Sequence, residues 1–217
     1  MIDLWEMLQR LAIGWHTDDD RAFWQGVCIE ISFGSPEKII FNKMKEIEYL
    51  PEEYFRVVEK YDSFLVGKFG LRPTRVVHEK FFYKDNADYV WSIGWLGDFF
   101  SDEKNFYFQK EIYISNNGSI IMRNLYDESL EFIASSFFEF MNDCIFGERY
   151  LEFNGGDASD NTYGFLKTFR ENMEKDYANM RSEDRCQEQQ QMQQRLDELE
   201  AKIRYEESRG NCVRFEK

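Results

Sequence analysis

Over residues 89–150 the hydrophobic pattern changes period, from strand-like runs to the three-and-four spacing of a helix. Residues 89–95 (YVWSIGW), 111–115 (EIYIS) and 120–125 (IIMRNL) are rich in β-branched and aromatic types, which suit a pleated, half-buried surface, and each predicts a strand. Asn116-Asn117-Gly118 joins the last two. Its Asn-Gly pair takes positive φ readily and predicts a tight hairpin. Ser135 and Ser136 then offer an N-cap hydroxyl ahead of Phe137, Phe138, Phe140, Met141, Cys144 and Ile145, whose spacing lays one apolar helix face over the sheet.

The rest of the chain supplies more helix than strand. Leu4, Met7, Leu8 and Leu11 mark an amphipathic helix over residues 1–13, stopped at Gly14. Residues 23–33 predict a strand closed by Gly34-Ser35-Pro36, and residues 36–47 a helix. Residues 49–61 predict the clearest helix, with Pro51 at its start, Glu52 and Glu53 in the first turn, and Tyr54, Val57, Val58 and Tyr61 on one face. Gly67, Gly70 and Pro73 break the chain before a further strand over 75–83.

The polar stretch 154–161 sets a boundary between an α+β domain, 1–155, and a helical C-terminal extension, 156–217. In the extension, Met192, Leu196, Leu199 and Ile203 are out of heptad phase with Met173, Tyr177 and Met180, and residues 187–194 between them are almost wholly polar. That favours a solvated or domain-packed helix over a coiled coil, while leaving self-association through it open. The expected fold class is α+β, with a mainly antiparallel sheet covered by helices.

Composition adds a direction to this picture. The chain has 217 residues, 43% of them hydrophobic, with 21 Phe and 12 Tyr. That is more aromatic surface than a core of this size ordinarily uses, so part of it is available to line a partner-binding face. The formal net charge is −14, and because the stretch from Lys167 onward is nearly balanced, the acidity belongs to the preceding residues. Such a field repels nucleic-acid phosphate and draws in basic protein partners. Without an apolar run of roughly 18 residues or a basic leader, no membrane partner is expected and a cytoplasmic location is.

Catalytic motifs are scarce. His16 and His78 sit in no nucleophile or zinc motif, and neither G-x-x-x-x-G-K-[ST] nor G-x-G-x-x-G occurs. Cys28, Cys144, Cys186 and Cys212 are too scattered for a zinc or redox pair and read as free thiols. Asp18-Asp19-Asp20 diverge as consecutive side chains. Counted as a calcium loop from Asp157, the chain has Thr162 and Thr168 where that loop needs glycine and glutamate. A non-enzymatic protein with no cofactor and no metal is the expectation.

Four motifs resemble the SUKH superfamily, the Smi/Knr-like domain: LPEEYFRVVEKYDSF, YVWSIGW, EIYISNNGSIIMRNL and IASSFFEFMNDCIFGERY. Leu50, Pro51, Tyr54, Ile93, Gly94, Gly118, Ala134, Ser136, Phe137 and Phe140 carry the likeness, which covers about residues 36–153. Asp62-Ser63-Phe64 stands where the family commonly has Asn-Gly-Gly. The resemblance implies the α+β fold above. It also implies an immunity protein that neutralises a cognate toxin, often a nuclease, by direct binding; the alternative it implies is an interaction scaffold, here using the C-terminal helix. For the contact itself, residues 95–103 combine loop character with aromatics and acids, making Trp95, Asp98, Phe99, Asp102 and Glu103 the first candidates and Asp127 and Glu128 the second.

Overall fold

The computed structural model describes residues 4–17, 27–33, 50–71, 78–83, 86–99, 106–157, 159–180 and 182–208. The expected helix at 36–47 and the aspartates at 18–20 lie outside them. Among the described residues eight strands form one antiparallel sheet: β1 (Ile29–Phe33), β2 (Tyr61–Val66), β3 (Phe69–Leu71), β4 (His78–Tyr83), β5 (Asn86–Phe99), β6 (Phe106–Ser115), β7 (Ile120–Asn124) and β8 (Leu130–Ala134). Their order is β1-β2-β3-β5-β6-β7-β8, with β4 pairing β5 beside β3. The helices are α1 (Leu4–Thr17), α2 (Glu52–Lys60), α3 (Phe137–Glu139) running into a π-helical turn (Phe140–Ile145), α4 (Tyr150–Asn154), α5 (Asn161–Asn179) and α6 (Ser182–Ser208). The α+β class and the helix-covered antiparallel sheet are therefore as the sequence predicts.

Strand alternation sorts the sheet into two faces. Ile31, Phe64, Phe69, Leu96, Ile112, Ile114, Ile120 and Met122 join α1's Leu8 and Leu11 and α2's Tyr54, Val57 and Val58 in one continuous core. Aromatic edges pack it: Phe69 meets Phe140 at 5.2 Å, Phe140 meets Phe153 at 5.2 Å, and Tyr54 meets Phe137 at 5.5 Å, all near perpendicular. At the start of α3 the Ser136 hydroxyl accepts from the Glu139 amide at 3.1 Å, while the Glu139 carboxylate reaches back to the Ser135 amide at 2.8 Å and to its hydroxyl. This is a capping box shifted by one residue, and it holds the Glu139 carboxyl below the usual range through those Ser135 hydrogen bonds.

The β2–β3 turn ties the sheet to the helices behind it. Gly67 sits at φ +60°, a conformation that favours glycine, and the space where a Cβ would stand is filled by the Tyr150 hydroxyl and the Asn154 amide oxygen. That oxygen accepts from the Lys68 amide at 2.8 Å, and the Cys28 amide donates to Thr162 Oγ1 at 2.8 Å. Burial, reinforced by Asp160 and Glu30, raises the pKa of the Cys28 thiol.

Several elements differ from the sequence expectation. The first helix continues through Gly14 to Thr17. β2 follows α2 without a turn, since Tyr61 is both the C-cap of α2 and the first residue of β2. Leu130–Ala134, to which the sequence assigned no strand, forms β8 directly before the N-cap serines. The long C-terminal helical stretch breaks at Met180, which is extended (φ −95°, ψ 136°).

The core also runs across the expected boundary at 155. Phe165, Leu166 and Met173 of α5 and Leu196 of α6 belong to the same cluster as the sheet. α6 docks on α1 through an unusually polar contact. Arg10 binds Glu6 at 3.2 Å and Glu188 at 2.7 Å, and Gln9 donates to Gln193 at 3.3 Å. Tyr177 lies beneath the Arg10 and Arg185 guanidinium groups, and Lys60 of α2 approaches Glu200 at 3.7 Å. The C-terminal helix is thus domain-packed, one of the two alternatives the sequence leaves.

Candidate interaction surface

The outer face of the sheet carries a different kind of side chain. One row crosses it through Leu65, Gly70, Trp95, Glu111, Arg123 and Leu130, set by the strand registers. The next row runs through Tyr113, Ile121 and Phe132; Tyr113 and Ile121 are buried as a second small apolar cluster, and Leu130 packs against them. This cluster lies at the β8 end of the sheet, beside the β7–β8 turn.

That turn holds the candidates Asp127 and Glu128. Asn124 Oδ1 accepts from the Tyr126 amide at 2.9 Å, and Asp127 Oδ1 accepts from the Ser129 amide at 2.9 Å and its hydroxyl at 2.6 Å. The Ser129 bonds hold the Asp127 carboxyl below the usual range, so it is ionised at neutral pH. The Asn124 amide donates to the Ser129 carbonyl at 2.9 Å and the Leu125 amide to Gln109 at 3.0 Å. Glu128 takes φ +60°, a conformation uncommon outside glycine, and comes within 3.5 Å of Arg123. So braced, the turn leaves Tyr126 77% exposed, Leu125 41% and Phe132 of β8 46%. Asp127, Glu128 and Glu131 are exposed around them.

The first candidate segment is built differently from the sequence expectation. Trp95, Asp98 and Phe99 lie within β5, paired with Glu111, Tyr107 and Phe106, rather than in a loop. Trp95 has a packing role: its indole lies over Gly70 of β3, where a Cβ would be 2.1 Å from the ring. Asp102 and Glu103 lie outside the described residues. Sequence reasoning named the two acids of the β7–β8 turn but missed Leu125, Tyr126, Leu130 and Phe132 beside them. The available signal was a Leu-Tyr pair set directly before the turn-forming Asp-Glu-Ser.

Reactive groups are placed for packing. Burial pushes the Cys144 thiol up to about 11, far from thiolate reactivity at neutral pH. Cys28, Cys144 and Cys186 are free thiols. Among the described residues no group of three or more His, Cys, Asp and Glu side chains gathers to hold a metal, and no helix is long and apolar enough to cross a membrane. A shallow cleft of about 370 Å³ between α1 and α6 is lined by Ile13, Arg195, Glu198, Leu199 and Lys202. Comparison with protein-family models, curated proteins and solved structures finds no match to this chain, so the likeness to SUKH domains rests on its four motifs.

Proposed function

We propose that this chain is a non-catalytic binding protein of the immunity type, which covers a basic surface on a partner protein, such as a toxin domain, with its acidic β7–β8 end. The observation that carries this reading is the braced turn presenting Tyr126 beside Asp127 and Glu128, with Leu125 and Phe132 alongside. A large exposed aromatic whose backbone is held in advance loses less freedom on binding, and such anchors dominate interface energies. The neighbouring carboxylates and the net charge of −14 supply attraction at a distance, which acts on encounter rate. A toxin that handles nucleic acid must itself present a basic surface, so the two are complementary.

The test is co-purification from the native cell, followed by binding kinetics with the purified partner. Tyr126→Ala is expected to weaken binding by about 30-fold, mainly through faster dissociation. Asp127→Lys with Glu128→Lys is expected to slow association and flatten its salt dependence. A basic partner whose affinity is unchanged by all three substitutions removes this surface from consideration.

A further inference from the structure

We infer that the partner engages β8 as an added strand, in the form of an extended segment that alternates apolar with basic residues; this rests on the binding role proposed above. β8 ends the sheet, hydrogen-bonded to β7 on one side among the described residues. The Asn124–Ser129 bond sets the phase of that pairing. Alternation then turns the backbone groups of Glu131 toward β7 and those of Leu130 and Phe132 toward the open edge. The edge is bounded at the bulge beside Ile133, whose carbonyl accepts from Arg149 Nη1 at 2.9 Å. Four outward N–H and C=O groups remain before that guard, enough for a short ladder. At the opposite edge, by contrast, the Cys28 amide just before β1 is occupied by Thr162.

Side chains specify what the added strand must be. Leu130 packs against the outer-face cluster of Tyr113 and Ile121, and Phe132, opposite Ile121 in the register, is left exposed, so that cluster is unfinished on its outer side. Residues opposite Leu130 and Phe132 on a new strand complete it if they are apolar. Glu131 between them projects to the other face and is exposed, so the residue opposite it is best a lysine or arginine. Natural sheets commonly guard free edges with lysine, whereas this strand, LEFIA, has glutamate as its one charge. A second copy in antiparallel register, with Leu130 opposite Phe132, places Glu131 directly opposite Glu131. That like-charge pair disfavours self-pairing and favours a basic segment.

The probe is a short peptide of alternating valine and lysine, added to the full chain and followed by fluorescence anisotropy and amide hydrogen exchange. Binding is expected to slow exchange at the Leu130 and Phe132 amides by about tenfold or more, with the β1 edge unchanged. Methylating the backbone nitrogens of the peptide's valines is expected to weaken it by about tenfold, because ladder bonds are lost while side chains remain. Glu131→Lys is expected to transfer preference to the valine–glutamate peptide; residue 131 is exposed, so the fold tolerates the change. Equal binding by the methylated peptide, or no protection at Leu130 and Phe132, overturns strand addition. A native partner that depends on Tyr126 while those two amides stay unprotected keeps the binding role and overturns this mode alone.

Discussion

Replacing Gly67 with alanine isolates how much the β2–β3 turn contributes to joining the sheet to α4. Two costs combine there. A side chain at φ +60° costs roughly 1–2 kcal/mol in an L-residue. The added Cβ also stands 2.1 Å from the Tyr150 hydroxyl and 2.7 Å from the Asn154 amide oxygen. Tyr150 cannot swing aside readily, because it is buried and its ring stacks on Tyr163 at 5.9 Å. Forcing such a group to move costs roughly 1–3 kcal/mol, and displacing Asn154 from the Lys68 amide costs roughly 1 kcal/mol more. The expected total is about 3–6 kcal/mol, measured by urea unfolding on tryptophan fluorescence with the slope checked for two-state behaviour. Gly118→Ala and Gly155→Ala are internal controls: both glycines have positive φ, +85° and +65°, and at neither does an atom beyond the adjoining residues lie within 4 Å of the place a Cβ would take, so each bears the backbone cost alone. If Gly67→Ala destabilises no more than these two, the steric argument fails and the turn is not a rigid tie.

Two further substitutions test the charged contacts. Arg10→Ala is expected to cost about 2–4 kcal/mol, more than Glu188→Ala, because it strands the Glu6 carboxylate, only 4% exposed, without its cation, whereas the Glu188 side chain is 36% exposed; equal losses in thermal unfolding contradict this. Glu139→Gln probes the shifted capping box: since the folded carboxyl titrates below its ordinary range, its stabilisation is full above that ordinary range and disappears as pH falls through the lowered folded value. The stability gap between wild type and Glu139→Gln should therefore be flat near neutrality and close on acidification, and a gap that widens in acid refutes the assignment.

The elements legible in the sequence are those whose signals are local. α2 has its proline, acids and apolar stripe within a dozen residues, the β6–β7 hairpin has Asn-Gly, and α3 has Ser136 three residues before Glu139. What escaped depends on neighbours distant in sequence. Gly70 looks like a breaker, yet it lies inside β3 because the Trp95 indole covers it, filling the place of the missing side chain. β2 has no turn residue before it to announce a strand; pairing with β1 and β3 makes it one. Gly14 does not stop α1, whose Leu4, Met7, Leu8 and Leu11 are held on the sheet by packing that outweighs a glycine's weak preference. The candidate surface was half legible for the same reason: acids in a turn are visible in any sequence, but the exposure of Phe132 beside them depends on the place of β8 at the end of the strand order.

The polar docking of α6 acts as a vernier. Among the described side chains of this helix Met192 and Leu196 are buried, and Leu199 packs partly against the core that holds Leu196. Slide the helix by one turn and an apolar residue still meets the Leu196 pocket, Met192 from one direction and Leu199 from the other. Packing alone thus holds α6 down while scarcely saying where along its axis it should rest. Glu188, Gln193 and Glu200 are spread over roughly 18 Å of helix and face Arg10, Gln9 and Lys60 in turn, and a slip of roughly 5.4 Å takes all three out of reach together. The weak, solvent-touched contacts therefore set the position that the apolar ones merely hold, and a glutamine-rich helix with little pattern of its own acquires a single address.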